Sequence, residues 1–586
     1  MMRLLKTIGL GICITIVVVI PAPASETNRE LAEQGYAAMR KYCFDCHGAT
    51  FNGSSAFDLN NVAALTVAHE GETPYINLDS PEESLMWQRI ADDEMPPEDS
   101  PQPSPEERQL IRRWIAAGAP APPPRQVVTK TEAELVAEIL ADIETFDEDD
   151  AIFQRYFTLH HIAARLSVTE YDLRLYRAAL SKVINSLSMQ NDIVLPEAID
   201  QQQTVFRIDL RDLGWDTRQL WRSVLKQYPY GLTYDRVTDD PQLQRRSVRL
   251  ARASGTKVSY LRADWFVVHA TRGSLYDAFL GLPATAKQLE HRLGLDTQAA
   301  FVADPPRLVR AGFDESGVSI GARVLSRYGL PSGGYYWVSD DFVKANRRSS
   351  LYRFALGPIF EGNEFADRFG YQHDGGEIIF SLPNGLQGYM LVDGKGNRIA
   401  KGPIEVVRDS KEIGGTPEVV NAISCMHCHQ HGMVRFEDSV RESLGIRGRA
   451  LEKAKQIYVP TDQMRKLVQA DSSRFLAALS QATGPFLQVG NEADKDIKAF
   501  TEPIGVVAKN YSRDLSLGDV AQELGLDATA LKQSIQQSDA LQFLGLGPLA
   551  IDRKINRAAW DSQQFKFSLF QLAAQELGLG SMFLEY

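Results

Sequence analysis

The chain has 586 residues, 44% of them hydrophobic, which is enough for several packed domains. Its formal net charge is −12 at pH 7, and between Asp79 and Glu107 ten acidic residues stand against one basic residue, Arg89. This charge excludes nucleic acid as an expected partner, because such binding needs clustered lysine and arginine.

The first 24 residues have the pattern of a secretory signal peptide. Arg3 and Lys6 precede an apolar run from Thr7 to Ile20, and an Ala-x-Ala cleavage site lies before Ser25. The run is too short for a transmembrane helix, and no later segment is apolar enough to span a bilayer. The mature chain is expected to lose Cys13 with the signal and to be a soluble, exported protein, located in a periplasm.

Residues 26–119 are predicted to form one small helical domain. Helices are predicted over Asn28–Tyr42, over Ser84–Ile90, and from Ser104 to about Ala117. Ser104 is a suitable N-cap for the third helix because proline follows it and Glu107 completes a capping box. Residues 120–130 are rich in proline and are predicted to be a stiff linker.

Two copies of a Cys-x-x-Cys-His motif predict covalently bound haem. They consist of Cys43, Cys46 and His47, and of Cys425, Cys428 and His429. In a c-type haem site the two thiols bond to the vinyl groups and the adjacent histidine ligates the iron. A zinc site or a disulfide is the alternative for Cys-x-x-Cys alone. The histidine after the second cysteine, found twice in a chain expected to be exported, favours two haems c.

The first haem requires a sixth iron ligand if it only transfers electrons. Met95 is the leading candidate, because the two prolines that follow it stiffen its loop. His69 is an alternative, Met86 falls within a predicted helix, and Met39 lies too close to Cys43 to cross the haem.

The segments CFDCHG, MPP and LIRRWIAAGAP resemble the planctomycete-type cytochrome c domain over about residues 35–119. The resemblance implies a small helical cytochrome c fold in which the methionine of MPP, here Met95, is the distal ligand. Most of residues 150–586, including HDGGEIIFSLPNGLQGYM and ISCMHCHQHGM, is similar to large exported cytochromes that join such a domain to a long C-terminal region. This second resemblance implies a dihaem protein and names no substrate.

The rest of the chain is predicted to be helical and then mixed over residues 131–420, followed by the second haem motif and a helical region over 421–586. Strands are predicted at Thr204–Leu210, Glu377–Leu382 and Gly388–Val392, and Gly329–Trp337 is predicted to be an aromatic loop. Ser516 and Asp527 are predicted caps of C-terminal helices. The expected fold class is a multi-domain, mainly α protein with a mixed α+β middle region.

The sixth ligand of the second haem has several candidates. His373 leads, because it precedes an Asp-Gly-Gly turn that enters an apolar strand. The other candidates are Met464, Met390 and Tyr458, and the pair His160-His161 is a weaker one. His431 and Met433 follow His429 too closely to reach the opposite side of the haem.

The expected function is electron transfer by a periplasmic dihaem protein. The acidic face near Met95 is either a docking site for a basic redox partner or a merely solvated surface, and the second is the more common case. The alternative is a peroxidase-like or substrate-oxidising enzyme, in which the first haem relays electrons to a catalytic haem at His429. There His373, Arg307 or Arg310 would assist. A binding or sensing module is a third hypothesis that no particular motif favours.

Overall fold

The computed structural model describes residues 28–47, 65–67, 74–97, 102–120, 127, 129–165, 168–235, 240–313, 321–343, 348–563 and 566–585. The predicted signal peptide, His69 and most of the predicted linker lie outside these residues. Of the described residues, those up to Tyr42 and those between 65 and 120 form one compact unit, and residues 43–47 and 127–585 form a second. The predicted boundary at residue 420 falls inside the second unit.

The first unit is helical in its described residues. Its helices are α1 (Asn28–His47, of which the residues to Tyr42 belong to this unit), α2 (Leu85–Ala91) and α3 (Pro105–Ala116), with a 3-10 turn at Pro81–Glu83. Trp114 of α3 is fully buried, and a Cβ atom placed on Gly35 of α1 would lie 2.4 Å from its ring. Glycine at position 35 therefore allows the two helices to approach closely. The predicted capping box between Ser104 and Glu107 is confirmed.

The second unit contains most of the secondary structure. In chain order its helices are α4 (Glu132–Ile143), α5 (Glu148–Ala151), α6 (His160–Ala163), α7 (Glu170–Ser186), α8 (Arg218–Leu225), α9 (Pro241–Ser254), α10 (Ala263–Ala270), α11 (Gly273–Phe279), α12 (Ala286–Arg292), α13 (Thr297–Val302), α14 (Ala366–Phe369), α15 (Ile423–Cys428), α16 (Arg449–Ile457), α17 (Thr461–Leu487), α18 (Pro503–Tyr511), α19 (Leu517–Leu524), α20 (Ala528–Gln537), α21 (Asp539–Leu541), α22 (Gly547–Ala550), α23 (Arg557–Asp561) and α24 (Leu569–Glu576). Short 3-10 turns lie at Arg441–Ser443, Gly490–Glu492 and Ile497–Ala499, and a π-helical turn lies at Gln542–Leu546. The predicted caps Ser516 and Asp527 are confirmed, since their side chains accept hydrogen bonds from the first turns of α19 and α20.

The strands of this unit form two larger sheets in the described residues. Their bounds are β1 (Gln154–Thr158), β2 (Glu197–Ala198), β3 (Val205–Asp209), β4 (Leu232–Thr233), β5 (Tyr260–Arg262), β6 (Val309–Phe313), β7 (Arg323–Gly329), β8 (Tyr335–Asp341), β9 (Gly375–Ser381), β10 (Gln387–Asp393), β11 (Arg398–Ile399), β12 (Lys401–Gly402), β13 (Val419–Val420) and β14 (Ser581–Met582). One sheet has the order β2-β3-β1-β5, with β1 and β5 parallel. The other is an antiparallel meander of the order β11-β10-β9-β8-β7-β6.

The predicted strands at 204–210, 377–382 and 388–392 correspond to β3, β9 and β10. The prediction of an aromatic loop at Gly329–Trp337 is wrong for its aromatic residues, because Tyr335, Tyr336 and Trp337 begin β8 and are buried. The chain is thus an α+β protein of more than one unit. No helix in the described ranges combines the length and the apolar character needed to cross a membrane.

The core of the second unit is built around the buried helix α7. Almost every residue from Leu173 to Ser186 is buried, and α7 lies against α10, α17 and α18. A helix that is buried on all sides must satisfy its polar side chains inside the protein. Lys182 of α7 does so by forming an ion pair with Glu502, and this pair lies beside the second Cys-x-x-Cys-His motif.

Candidate functional site

The first Cys-x-x-Cys-His motif forms the last turn of α1. Cys43 and His47 are both half-buried. Burial lowers the pKa of His47, which favours the neutral imidazole that binds metal ions. The side chains of residues 44–46 are outside the described part of the structure, so the prediction for Cys46 stays a prediction.

Met95 lies on a short loop after α2, and the loop is fixed by hydrogen bonds. Its backbone N–H donates to the carbonyl of Arg89 at 2.9 Å, and the Gln102 side chain donates to the carbonyls of both following prolines at 2.9 Å. The Met95 side chain is 37% exposed, whereas Met39 and Met86 are buried in the core of the first unit. Of these three methionines, Met95 is the one whose thioether is accessible to a ligand site.

Acidic side chains surround this loop and part of their charge is paired. Asp93 forms an ion pair with Arg108 at 2.6 Å, and Glu94 pairs with Arg89 at 2.9 Å. Other carboxylates of the predicted acidic face are exposed, among them Asp79, Glu83, Asp92 and Glu106. The face therefore keeps net negative charge close to Met95.

The second motif lies on the short helix α15. The preceding residue, Ala422, has a φ of +67°, which turns the chain sharply from β13 into this helix. Cys425 is 1% exposed and Cys428 is exposed, and both are free thiols. The backbone N–H of His429 donates to the carbonyl of Cys425 at 2.8 Å, which continues the helical turn and holds the histidine next to the two cysteines.

His429 is oriented by one ring nitrogen, which leaves the other available. Its Nδ1 lies 3.1 Å from the carbonyl oxygen of Gly432. Because a carbonyl only accepts hydrogen bonds, Nδ1 carries a proton, and Nε2 is directed away from this turn. Gly432 has a φ of +93°, and a Cβ atom there would lie 2.9 Å from the Cα of Ser472. This turn therefore requires glycine, and it fixes the direction of Nε2.

Nε2 of His429 points to one face of the six-stranded sheet. Glu377 of β9 has its Oε2 3.8 Å from Nε2, and the ring of Tyr389 from β10 lies 6.2 Å from the His429 ring. Burial alone raises the pKa of Glu377, but the neighbouring His429 and the Arg323 guanidinium outweigh it and lower that pKa to about 2. Glu377 is thus a half-buried, ionised carboxylate facing the histidine.

Arg323 and Asp341 extend this polar group along the sheet. They are directly opposite each other on β7 and β8, and Arg323 binds Asp341 through two hydrogen bonds of 2.5 and 3.1 Å. Together with Glu377 they line a small pocket that opens to solvent. Its other walls are mostly apolar and come from β10 to β13, including Leu391, Val406, Val407 and Val419.

The opposite side of the motif is backed by a buried ion pair. Lys182 and Glu502 are 2.6 Å apart and each is 2% exposed, while Glu502 lies 4.0 Å from Nδ1 of His427. Burial raises the pKa of Glu502, but the charge of Lys182 and the neighbouring His427 lower it to about 2. A second small pocket, lined by Lys182, Glu502 and His431, lies next to this pair.

The sequence-predicted ligand candidates for the second haem lie apart from His429. His373 has its Nδ1 3.5 Å from Asp340, and within the described ranges no hydrogen bond or ion pair connects it to the motif. Met390 alternates with Tyr389 on β10, so it faces away from His429. Tyr458 donates to the carbonyl of Ala355.

The other predicted candidates are buried, exposed, or paired with residues outside the motif. Met464 is buried in α17. Arg310 is 1% exposed and donates to Ser326 and to the carbonyls of Ala355 and Gly357. Arg307 is exposed. His161 is buried and paired with Asp264 at 3.1 Å, and the ring of His160 packs against it.

The donor groups at this motif are those of a covalent haem site. Two thiols and a histidine whose Nδ1 is held by a backbone carbonyl match the attachment and ligation that such a group needs. Cys425, Cys428 and His429 would hold it, and it would supply one-electron chemistry at its iron. Within the described residues, no cluster of three or more His, Cys, Asp and Glu side chains is arranged to hold a bare metal ion.

Sequence reasoning missed Glu377, Arg323 and the Lys182–Glu502 pair. One signal for Glu377 was present, because it is the single charged residue in the apolar strand GGEIIFS. Charged residues in buried strands are rare unless they are paired or functional. Lys182 and Glu502 are 320 residues apart in sequence, and nothing local connects them.

Comparison with known proteins identifies part of the chain. Residues 43–99 match the family described as Planctomycete cytochrome C. No curated protein and no solved structure matches the chain significantly. The match covers the first motif and Met95, and it supports a cytochrome c domain, a type of domain that carries covalent haem c and transfers electrons.

Proposed function

We propose that this chain is an exported, periplasmic electron-transfer protein with two covalently attached haems c, one on each Cys-x-x-Cys-His motif. Cys43 and Cys46 hold the first haem and Cys425 and Cys428 hold the second. The cytochrome c match supports the first site, and it covers both His47 and Met95, the proposed ligand pair there. Such a pair favours ferrous iron compared with two histidines.

The proposal of a second haem depends mainly on one observation, the orientation of the His429 ring. A proximal haem histidine needs its Nδ1 engaged and its Nε2 free, since the hydrogen bond on one nitrogen selects the other as the ligand. The hydrogen bond between Nδ1 and Gly432, and the direction of Nε2 toward the cavity side of the sheet, meet this requirement. Met433 and Ser472 fix the turn, because the Met433 N–H donates to Ser472 at 3.1 Å.

The N-terminal sequence supports export, and the exposed carboxylates near Met95 support a basic redox partner. Covalent haem c and the signal-like sequence of residues 1–24 agree with a compartment outside the cytoplasm. The exposed carboxylates near Met95 would attract a basic redox partner and increase its association rate at low salt. Electrons would then enter or leave at the first haem.

The number of haems tests this proposal. The mature protein, purified from a host that attaches haem c, should have the mass of the chain plus two haems. Replacing Cys425 and Cys428 with serine should leave one haem, and replacing Cys43 and Cys46 should leave the other. One haem in the wild-type protein, lost only with the Cys43/Cys46 pair, would refute the second site.

A second candidate function is a dihaem oxidoreductase, and the charged residues beside His429 favour it. Glu377 and Arg323 line the cavity on the Nε2 side of His429, where a pure electron carrier would normally place a methionine or histidine. In this function the first haem relays electrons, and the second reduces a small oxidant or oxidises a substrate. Turnover with peroxide and a reduced electron donor separates the two functions.

A further inference from the structure

The surface helix α9 carries a positive charge that contrasts with the acidic chain around it. Between Pro241 and Leu261 there is no acidic residue, and the basic residues there are Arg245, Arg246, Arg249, Arg252 and Lys257. Over the whole chain the acidic residues outnumber the basic ones by 75 to 63. Clustered charge of one sign creates a local field that attracts an oppositely charged surface. Helix α9 is therefore a basic surface on a molecule of negative net charge.

One side of α9 is fixed in the core, and the other side presents the cations to solvent. Leu243 and Leu250 are buried in a cluster with apolar residues of α4. Arg245, Arg249 and Arg252 are exposed, and their spacing of four and three residues places them along one face of the helix. At about 1.5 Å per residue, this row of arginines is about 10 Å long. Its position on a helix that is anchored in the core makes the row a rigid array.

Neighbouring carboxylates compensate only part of this charge. Arg249 forms an ion pair with Glu144 at 2.5 Å, in which both side chains are exposed. The other four cations form no ion pair within the described ranges; they are Arg245, Arg246, Arg252 and Lys257. Asp240 caps the first turn of α9, whereas Glu138 and Asp142 of α4 are paired with basic residues outside α9. The exposed side of α9 thus keeps net positive charge.

Exposed carboxylates without an ion pair also occur on the acidic face near Met95. Asp79, Glu83 and Asp92 are exposed and form no ion pair with any residue that the structure describes. Glu83 and Asp92 flank α2, whose seven residues span about 10 Å. These carboxylates therefore form a row that is similar in length, and opposite in charge, to the row of arginines on α9.

We propose that α9 of one molecule binds the acidic face of a second copy of this chain. Arginine side chains bind carboxylates through two parallel hydrogen bonds, which suits the exposed rows on both surfaces. Because the two surfaces differ, a pair joined in this way still has one free surface of each kind, and the assembly is open-ended. The inference goes beyond the proposed electron transfer, since it requires neither haem. The basic partner of the acidic face is then another molecule of the same protein.

A lipid surface fits α9 less well than a protein surface. Basic helices that lie in a membrane interface insert an apolar face between the lipids. The apolar face of α9 is occupied by the core of the protein, and Val248, 49% exposed, is the one large apolar side chain that α9 exposes. The free side of the helix is thus suited to salt-sensitive contacts with carboxylates.

The test is the sedimentation of the full chain, with its haem attached, at low and high salt. At about 10 mM ionic strength, where charges interact over about 30 Å, the mean mass should rise above that of the monomer as the protein concentration increases. At about 1 M salt the screening length falls to about 3 Å, and the protein should be monomeric at every concentration.

Charge reversal identifies the two surfaces without removing an ion pair. One variant reverses α9, by Arg245→Glu, Arg252→Glu and Lys257→Glu together, and the other reverses the acidic face, by Asp79→Lys, Glu83→Lys and Asp92→Lys together. Each variant alone should remain monomeric, because the groups that would meet then carry like charges. A mixture of the two should associate again, because each variant offers the surface that the other has lost. The matched control reverses exposed cations elsewhere that also lack an ion pair in the described residues, and it should associate like the wild type: Arg447→Glu, Lys466→Glu and Lys554→Glu.

A monomeric wild type at low salt overturns the inference, as does association that persists in either charge-reversed variant. Loss of association in both variants without its return in the mixture would show that the two surfaces do not meet. Binding of the wild type, but not of the α9 variant, to vesicles of anionic phospholipid, with no self-association, would assign α9 to a lipid surface instead. Haem content and Tm are measured for every variant, and unchanged values show an intact fold. A haem count other than two would refute the dihaem proposal and leave this inference in place.

Discussion

Replacing Lys182 with methionine tests how the second motif is supported from behind. Methionine keeps most of the length and apolar contacts of lysine and removes the charge. The Glu502 carboxylate, 2% exposed, would then keep its hydrogen bonds from the N–H groups of Ile504 and Gly505 but lose its cation. Removing one member of a buried ion pair costs about 3–5 kcal/mol, because the remaining charge stays buried without compensation.

The pKa of Glu502 gives the same magnitude independently. It falls from an ordinary 4.5 to about 2, and Lys182 is the largest of the groups that lower it. At about 1.4 kcal/mol for each pKa unit, this corresponds to roughly 3 kcal/mol. At about 2.1 cal/mol/K per residue, a unit of roughly 480 residues has an unfolding entropy of about 1 kcal/mol/K. A loss of about 3–5 kcal/mol in the free energy of unfolding should therefore lower its Tm by about 3–5 °C.

Calorimetry of the wild type and of Lys182→Met at pH 7 measures this change. The control is Lys532→Met, which removes an ion pair of similar length, 3.0 Å to Asp552, at an exposed position. Exposed pairs contribute about 0–1 kcal/mol, so Tm of the control should change by less than about 1 °C. Equal Tm values for the wild type and Lys182→Met would refute the reasoning.

The Lys182–Glu502 ion pair also predicts how the stability of the folded state depends on pH. A carboxylate with a lowered pKa stabilises the folded state fully above its unfolded pKa, and this stabilisation is lost as the pH falls through its folded pKa. For Glu502 that window extends from about pH 4.5 down to about pH 2. The Tm difference between the wild type and Lys182→Met should therefore be constant between pH 6 and 7 and decrease below about pH 4.5.

Three substitutions test the remaining parts of the site. Met95→Ala should abolish the weak far-red charge-transfer absorption that methionine-ligated ferric haem c shows, and an unchanged band would exclude Met95 as the ligand. Gly35→Ala should destabilise the first unit by about 1–3 kcal/mol, since the added Cβ would lie 2.4 Å from Trp114, and faster proteolysis of this unit would reveal it. Gly432→Ala should lower the yield of the second haem without affecting the first, because it strains a φ of +93° and collides with Ser472.

Controls for these variants are present in the chain. Met86 is buried in α2, so Met86→Leu should keep the far-red band. Gly415 also has a positive φ, +79°, but nothing lies within 4 Å of a Cβ placed there. Gly415→Ala should therefore cost only the backbone strain and leave both haems attached, in contrast to Gly432→Ala.

Local features of the structure were predictable from the sequence. The capping boxes at Ser104 and Ser516 depend on residues three positions apart, and short apolar runs between glycine-rich turns were enough to locate β9 and β10. The two motifs were recognisable because thioether attachment fixes the spacing of their cysteines and histidine. These are all short-range constraints.

The surroundings of the second motif were not predictable in this way. Which residue faces His429 depends on the register of β8 against β9 and on where α15 meets the sheet. The Asp-Gly-Gly turn was correctly predicted to follow His373 and to lead into β9. The pairing of His373 with Asp340, however, depends on the neighbouring strand β8. Alternation along a strand fixes the face of each residue only once one contact is known.

The burial of Cys425 constrains the order in which the protein is assembled. In the folded chain this thiol is 1% exposed and belongs to α15, which contacts β13 and α18. An enzyme that attaches haem needs both cysteines of a motif within reach, and folding first would hide one of them. If the proposed second haem is attached, its attachment would therefore precede closure of the second unit around Cys425.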